Sequence, residues 1–216
     1  MKKILSIVAL LVLSTAVVWG QSGKSAKEIR QQNFIFGPKV GLSMPYQHIV
    51  TNTEALHSLL GGPNVGLQLG GYMRGIIPLK KGFSLYGQLD ASWDMDFYFG
   101  GGQSASAGYF TFPLLIGGGY KLNNELNLRV GGGPTYTVNI YQTANTTFKG
   151  EDNDYQKAVA GMLSRDPWGW TAAIGVDWKN WTADLRYMNQ YRSQELSRIA
   201  DEYRYISIGL TLGYRF

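Results

Sequence analysis

An all-β fold, an eight-stranded antiparallel transmembrane β-barrel with short periplasmic turns and long extracellular loops, is predicted by three features of this sequence. Apolar and polar residues alternate with period two over most of residues 34–216, a leader of secretory type precedes them, and the last strand alternates to a terminal Phe216. Composition agrees, since 28 glycines among 216 residues and 13% aromatics are unusual for a soluble α/β chain.

The leader fixes the expected compartment. Lys2 and Lys3 precede an apolar run from Ile4 to Val18, and Val18-Trp19-Gly20 has the small residues a signal peptidase reads. Residues 1–20 are assigned to a cleaved signal peptide. A membrane-anchoring helix would need about 20 apolar residues, and here polar Gln21-Ser22-Gly23-Lys24 follows at once. Residues 21–33 lack periodicity and read as a periplasmic lead-in, and 34–216 as the barrel. With no cysteine there is no disulfide framework, thiolate metal site or lipid-anchoring Cys. Lys2 and Lys3 supply two of the net +5 charges, and no Lys/Arg cluster points to nucleic acid.

The strands follow in order: Phe36–Met44, Val65–Ile77, Phe83–Phe97, Tyr109–Tyr120, Leu126–Tyr141, Trp168–Trp178, Trp181–Tyr191 and Arg204–Phe216. From Phe83 to Phe97 one face is apolar and the other almost wholly polar. That run is far longer than the five or six residues usual in a soluble sheet and suits a tilted membrane strand. Connections alternate in length: 78–82, 121–125 and 179–180 are short, while 45–64, 98–108, 142–167 and 192–203 are long. Closure follows from the solvent, because an open edge would leave N–H and C=O groups unpaired in hydrocarbon. Phe83, Tyr120, Trp178, Trp181, Tyr214 and Phe216 fall beside the short turns, and Trp93, Phe97, Phe110, Tyr136, Trp168 and Trp170 toward the long loops, as two aromatic girdles would. Core aromatics of a soluble sandwich or lipocalin-like barrel are the competing reading; they would leave many large apolar residues facing water.

With Phe83, Phe97 and Phe216 toward lipid, the opposite phase places Lys39, Gln68, Arg74, Gln88, Asp90, Arg129, Asp177, Asp184, Arg186 and Arg215 in the lumen. About eight strands leave an interior just filled by side chains, so a mutually paired polar network is expected, with a charged conduit as the alternative. Asp94 and Asp96 lie nearer the outer mouth and are expected to be solvated rather than to hold a cation.

Little else carries chemistry. His48 and His57 flank Glu54 in the first long connection without a third close ligand, so no metal is expected. Thr51–Gly61 reads instead as a short capped helix, and further loop helices are expected at Asp154–Arg165 and Ser193–Glu202. Pairings of those histidines with Ser43, Ser58, Ser104 or Ser106 form no nucleophile motif, so neither an enzyme nor a cofactor is expected. The glycine triplets 100–102, 117–119 and 131–133 precede no helix; they suit close backbone approach in a small barrel better than a phosphate loop.

Three segments, Phe36-Gly37-Pro38-Lys39-Val40-Gly41-Leu42-Ser43, Tyr109-Phe110-Thr111-Phe112-Pro113-Leu114-Leu115-Ile116 and Gly131-Gly132-Gly133-Pro134, together with the final Gly-Leu-Thr-Leu-Gly-Tyr-Arg-Phe, resemble the PorT-type (porin family) outer-membrane β-barrel family. Ser43 stands where that family usually has Asn. The resemblance implies residence in the outer membrane of a Gram-negative cell, in contact with its lipid, and a role accessory to protein secretion or envelope assembly with a protein partner. Leu212, Tyr214 and Phe216 resemble the C-terminal signal read by the barrel assembly machinery. A narrow small-solute porin is the second reading, and an enzyme at the outer rim the third.

Overall fold

A computed structural model describes residues 34–50, 64–100, 103–145, 163–165, 167–191 and 202–216. The expected strands form, as β1 (Phe34–Val50), β2 (Val65–Pro78), β3 (Phe83–Gly100), β4 (Gln103–Lys121), β5 (Leu126–Asn145), β6 (Trp168–Trp178), β7 (Trp181–Tyr191) and β8 (Glu202–Tyr214). Each pairs antiparallel with its sequence neighbours, and β1 pairs with β8 from Lys39↔Gly213 to Val50↔Glu202, so the sheet closes on itself.

Closure explains where the strand prolines sit. A proline cannot donate to a ladder and is tolerated only where one side is unpaired. Pro38 pairs with Gly71 of β2 just before the β8 pairing starts, and Pro45 pairs with Ser207 of β8 after the β2 pairing has ended at Ser43↔Gly66. Pro113 falls in the gap of the β3–β4 ladder between Leu114 and Thr111, and Pro134 in the gap of the β4–β5 ladder between Thr135 and Gly132. Closely approaching backbones claim the glycines: a Cβ on Gly117 would lie 2.1 Å from the Val130 carbonyl oxygen.

At the short-turn end, the β2–β3 connection carries Lys81 at φ 59° and Gly82 at φ 81°, and Lys179 at φ 52° opens the two-residue β6–β7 turn. The Lys179 amide donates to the Glu125 carbonyl at 3.0 Å, tying that turn to its neighbour.

All four long connections are shorter than expected: β1 runs on to Val50 against β8, β5 runs on to Asn145 against β4, β8 begins at Glu202, and the β3–β4 connection departs furthest. The sequence suggests a long loop over 98–108, but β3 and β4 pair out to Gly100↔Gln103, leaving only 101–102 between them. The Ser104-Ala105-Ser106-Ala107 run looks like loop composition, yet its small inward alanines, both buried, fit beside the buried Tyr98 and Tyr109. The expected helix at 51–61 lies outside the described residues, as do His57 and most of the other two loop helices; Leu163–Arg165 is a turn and extended chain, and Glu202 begins β8.

The barrel is inside-out in polarity. Val40, Leu69, Leu89, Ile116, Ile174 and Leu210, one from each of six strands, point outward and are 41–66% exposed. Every one of the ten buried charged side chains among the described residues points inward. A continuous apolar belt of this kind is unfavourable in water and is what hydrocarbon solvates. Aromatic pairs bracket it: Phe83–Tyr120 (4.8 Å between centroids) and Trp181–Tyr214 (5.2 Å) at the short-turn end, Tyr136–Trp168 (5.0 Å) toward the other.

Candidate functional site

The chemistry of the molecule is in its lumen, where inward phase and barrel register stack two polar layers. The lower layer, toward the short turns, collects side chains that are far apart in sequence. Lys39 on β1 donates to Asp184 on β7 (2.6 Å) and Asp90 on β3 (3.3 Å). Arg74 on β2 donates through Nη1 to both oxygens of Asp177 on β6 (3.0 Å each) and through Nε to Gln88 on β3 (2.7 Å), whose amide in turn donates to Asp90 (2.7 Å). Arg129 on β5 bridges Asp177 (3.0 Å) and Asp184 (2.7 Å), and Arg186 pairs with Asp90 and, at 3.3 Å, with Asp184. Charge-assisted bonds of this sort offset the cost of taking the ions out of water only when all partners are in place. Here each carboxylate serves two or three cations, and the network stitches six of the eight strands across the lumen.

Rings complete the layer. The guanidinium of Arg74 sits 5.3 Å from the Tyr72 ring centroid and 5.7 Å from that of Tyr86, and Arg129 is 5.7 Å from Tyr86 on its own side. Such placement adds cation–π attraction in a desolvated setting. Tyr86, Leu115 and Ala173 form a small apolar cluster beside it.

The upper layer, toward the long loops, has Asp94 and Asp96 at its centre. Both were expected to be solvated; both are instead buried. Asp94 accepts from Ser92 (2.8 Å) and Thr111 (2.7 Å), and Asp96 from Tyr98 (3.0 Å) and Tyr205 (3.1 Å). Their counter-ion is Arg165, which the sequence offered only as the end of a loop helix. Leu163 and Arg165 are folded into the mouth, with the Leu163 carbonyl accepting from Tyr109 (2.6 Å) and Asn139 bonding both the amide and the carbonyl of Arg165 (2.9 and 2.8 Å).

Counted over both layers, the buried charges among the described residues are Lys39, Arg74, Arg129, Arg165 and Arg186 against Asp90, Asp94, Asp96, Asp177 and Asp184. These charges balance, although the lower layer has one extra cation and the upper one extra carboxylate. Between the layers lies a cavity of about 10 Å³ lined by Gln68, Ser92, Thr211 and the Lys39–Asp90–Arg186 cluster, about the space of one water.

Of the lumen residues expected from sequence, eight meet in the lower layer: Lys39, Arg74, Gln88, Asp90, Arg129, Asp177, Asp184 and Arg186. Gln68 lines the cavity instead, and Arg215 lies past the end of β8, half-buried at the rim. Leu212 faces outward, while Tyr214 and Phe216 pack on each other (5.3 Å) and Phe216 on Phe36 (5.9 Å). Sequence reasoning missed Tyr98 and Tyr205, though both stand in the inward phase, and Arg165, which no periodicity marks.

The belt and the closed ladder together define a transmembrane β-barrel, its lumen crossed by two layers of bonded charges. Among solved structures the chain is similar to the attachment invasion locus protein Ail of Yersinia pestis in complex with the heparin analogue sucrose octasulfate (11% identity, 86% of this chain and 100% of that one, TM-score 0.40). It is similar also to the outer membrane enzyme PagL (12%, 80% and 97%, TM-score 0.46) and to the outer membrane protein OprG from Pseudomonas aeruginosa (13%, 85% and 95%, TM-score 0.45). What those proteins bind or catalyse does not carry over at this distance. No protein-family model and no curated protein matches the chain.

Proposed function

We propose that the protein is an integral outer-membrane barrel of a Gram-negative bacterium with a structural and interaction role, accessory to protein secretion or envelope assembly. It is exported with residues 1–20 removed as a signal peptide, and its last strand is handed to the barrel assembly machinery. The observation that carries the interaction reading is the lumen: buried side chains bonded to one another cross it in two layers, Lys39–Asp184–Arg129 with their partners below and Asp96–Arg165 above. A barrel crossed in this way offers partners only its loops, its rims and the segment that precedes β1. The resemblance of residues 36–43, 109–116 and 131–134 to the PorT-type family supports a secretion partner. The outward Leu212 and the rim aromatics Tyr214 and Phe216 suit a β-signal. A solute pore would need a continuous file of water through the same barrel. The proposal assigns no catalytic step.

The test is affinity capture of the tagged protein from detergent-solubilised outer membranes, with mass spectrometry of what accompanies it and a heat-modifiability gel on the same sample. A stoichiometric partner from a secretion or envelope system is the expected result. A heat-modifiable barrel that comes down alone, even after cross-linking in intact cells, contradicts the partner reading.

A further inference from the structure

The upper layer differs from the lower in how well its arginine is served. Arg74 uses Nε, Nη1 and Nη2, to Gln88, Asp177 and Thr182. Arg165, equally buried, bonds through Nη2 alone, to Asp96 and to the Tyr205 hydroxyl. Its Nε and Nη1 have no hydrogen-bond partner among the described residues, and neither does the second oxygen of Asp96. Nη1 stands 3.8 Å from Asp94, a charge contact without a hydrogen bond.

The surroundings are nonetheless built for a guanidinium. The Arg165 group lies 3.7 Å from the Tyr109 ring centroid and 3.9 Å from that of Tyr205, with Tyr98 completing the wall and two carboxylates beside it. Flat stacking between rings with a carboxylate in plane is the arrangement that prefers arginine over lysine. A guanidinium presented on a separate chain would pair with both oxygens of Asp96, of which Arg165 uses only one. Leu163, fully buried two residues earlier, fills the adjoining apolar space.

We propose that Tyr98, Tyr109, Tyr205, Asp94 and Asp96 form an arginine-binding site at the long-loop mouth, which the chain fills with its own Leu163-Ser164-Arg165 and for which a partner polypeptide presenting Leu-x-Arg competes. The site requires only the closed barrel, and it stands or falls separately from the secretion reading. Arg165 acts as an internal ligand: it keeps the two carboxylates neutralised when no partner is present and sets a threshold that a partner sequence must exceed.

The experiment is calorimetric titration of the full-length protein in micelles with the capped peptide Leu-Ser-Arg and its Leu-Ser-Lys counterpart. Arg165→Ala, checked for folding by heat modifiability, is expected to bind the arginine peptide at least roughly tenfold more tightly than the unaltered protein, because the internal competitor is gone. Adding Asp96→Asn is expected to cost that variant roughly tenfold or more, as loss of a charge-assisted pair does, and the lysine peptide is expected to bind far more weakly in every case. Equal affinity of folded Arg165→Ala and the unaltered protein, or equal affinity for the two peptides, overturns the proposal. Should Arg165→Ala not fold, Ser164→Cys in this otherwise cysteine-free chain gives the second readout. Its maleimide labelling is expected to accelerate saturably with the arginine peptide, and a rate indifferent to that peptide overturns the proposal as well.

Discussion

Replacing Asp184 by asparagine is expected to lower the unfolding free energy by about 3–5 kcal/mol, the usual cost of removing one partner from a buried ion-pair network. Asp184 is fully buried and accepts from Lys39 at 2.6 Å, Arg129 at 2.7 Å and Arg186 at 3.3 Å. Without its charge, four cations of the lower layer would share Asp90 and Asp177. An amide of the same shape leaves no cavity, so the loss is electrostatic and its size reports the network. Glu125→Gln, in the short connection before β5, where its carboxylate meets Lys179 at 3.6 Å with both side chains about half exposed, is the control and is expected to change stability by less than about 0.5 kcal/mol, as the loss of an exposed pair does. Urea unfolding in phospholipid vesicles, followed by tryptophan emission and gel mobility, measures both. If Asp184→Asn behaved like Glu125→Gln, the cross-lumen pairing described above would be wrong.

The second large effect is on the other face of the same strand system. Leu89 is 41% exposed on the outer face, midway along β3 between the girdle residues Phe83 and Trp93, and pairs with Met73 and Leu114. Leu89→Arg is expected to cost about 2–4 kcal/mol, as a cation does near the bilayer midplane. Ser92 points inward, donates to Asp94 at 2.8 Å and lines the small cavity. Ser92→Arg is therefore expected to act by overfilling the lumen, with a cost typically of about 1–3 kcal/mol. The two are told apart by solvent: the penalty at Leu89 should shrink when vesicles are exchanged for a thin, water-permeable micelle, and the penalty at Ser92 should not. Equal dependence of both on bilayer thickness would mean that the strand phase is inverted.

How much of this was legible in the sequence depends on what local pattern encodes. Strand phase is local, so β6 and β7 form with the bounds that alternation and the Lys179-Asn180 turn suggest, and Lys39, Arg74, Gln88, Asp90, Arg129, Asp177, Asp184 and Arg186 fall inward. Which of them meet is not local. Arg74 stands directly opposite Gln88 in the β2–β3 register but finds Asp177 four strands away, a pairing fixed only by the stagger with which the sheet closes. The β3–β4 hairpin is hidden in the sequence because Ser, Ala and Gly have the composition of a loop, although Phe97-Tyr98-Phe99 still alternates. Asp94 and Asp96 were on the right face, but their neutralising Arg165 arrives from a segment with no period to read.

The central claim is a barrel whose interior is closed by paired side chains, and single-channel recording of the full-length protein in a planar lipid bilayer tests it most directly. The account expects no conductance steps from the unaltered protein, inserted in the heat-modifiable form and held at both polarities, because two layers of buried, mutually bonded side chains cross the lumen. Steady ohmic steps from that same material, altered in size by Arg74→Ala, would contradict it and make the lumen a conduit.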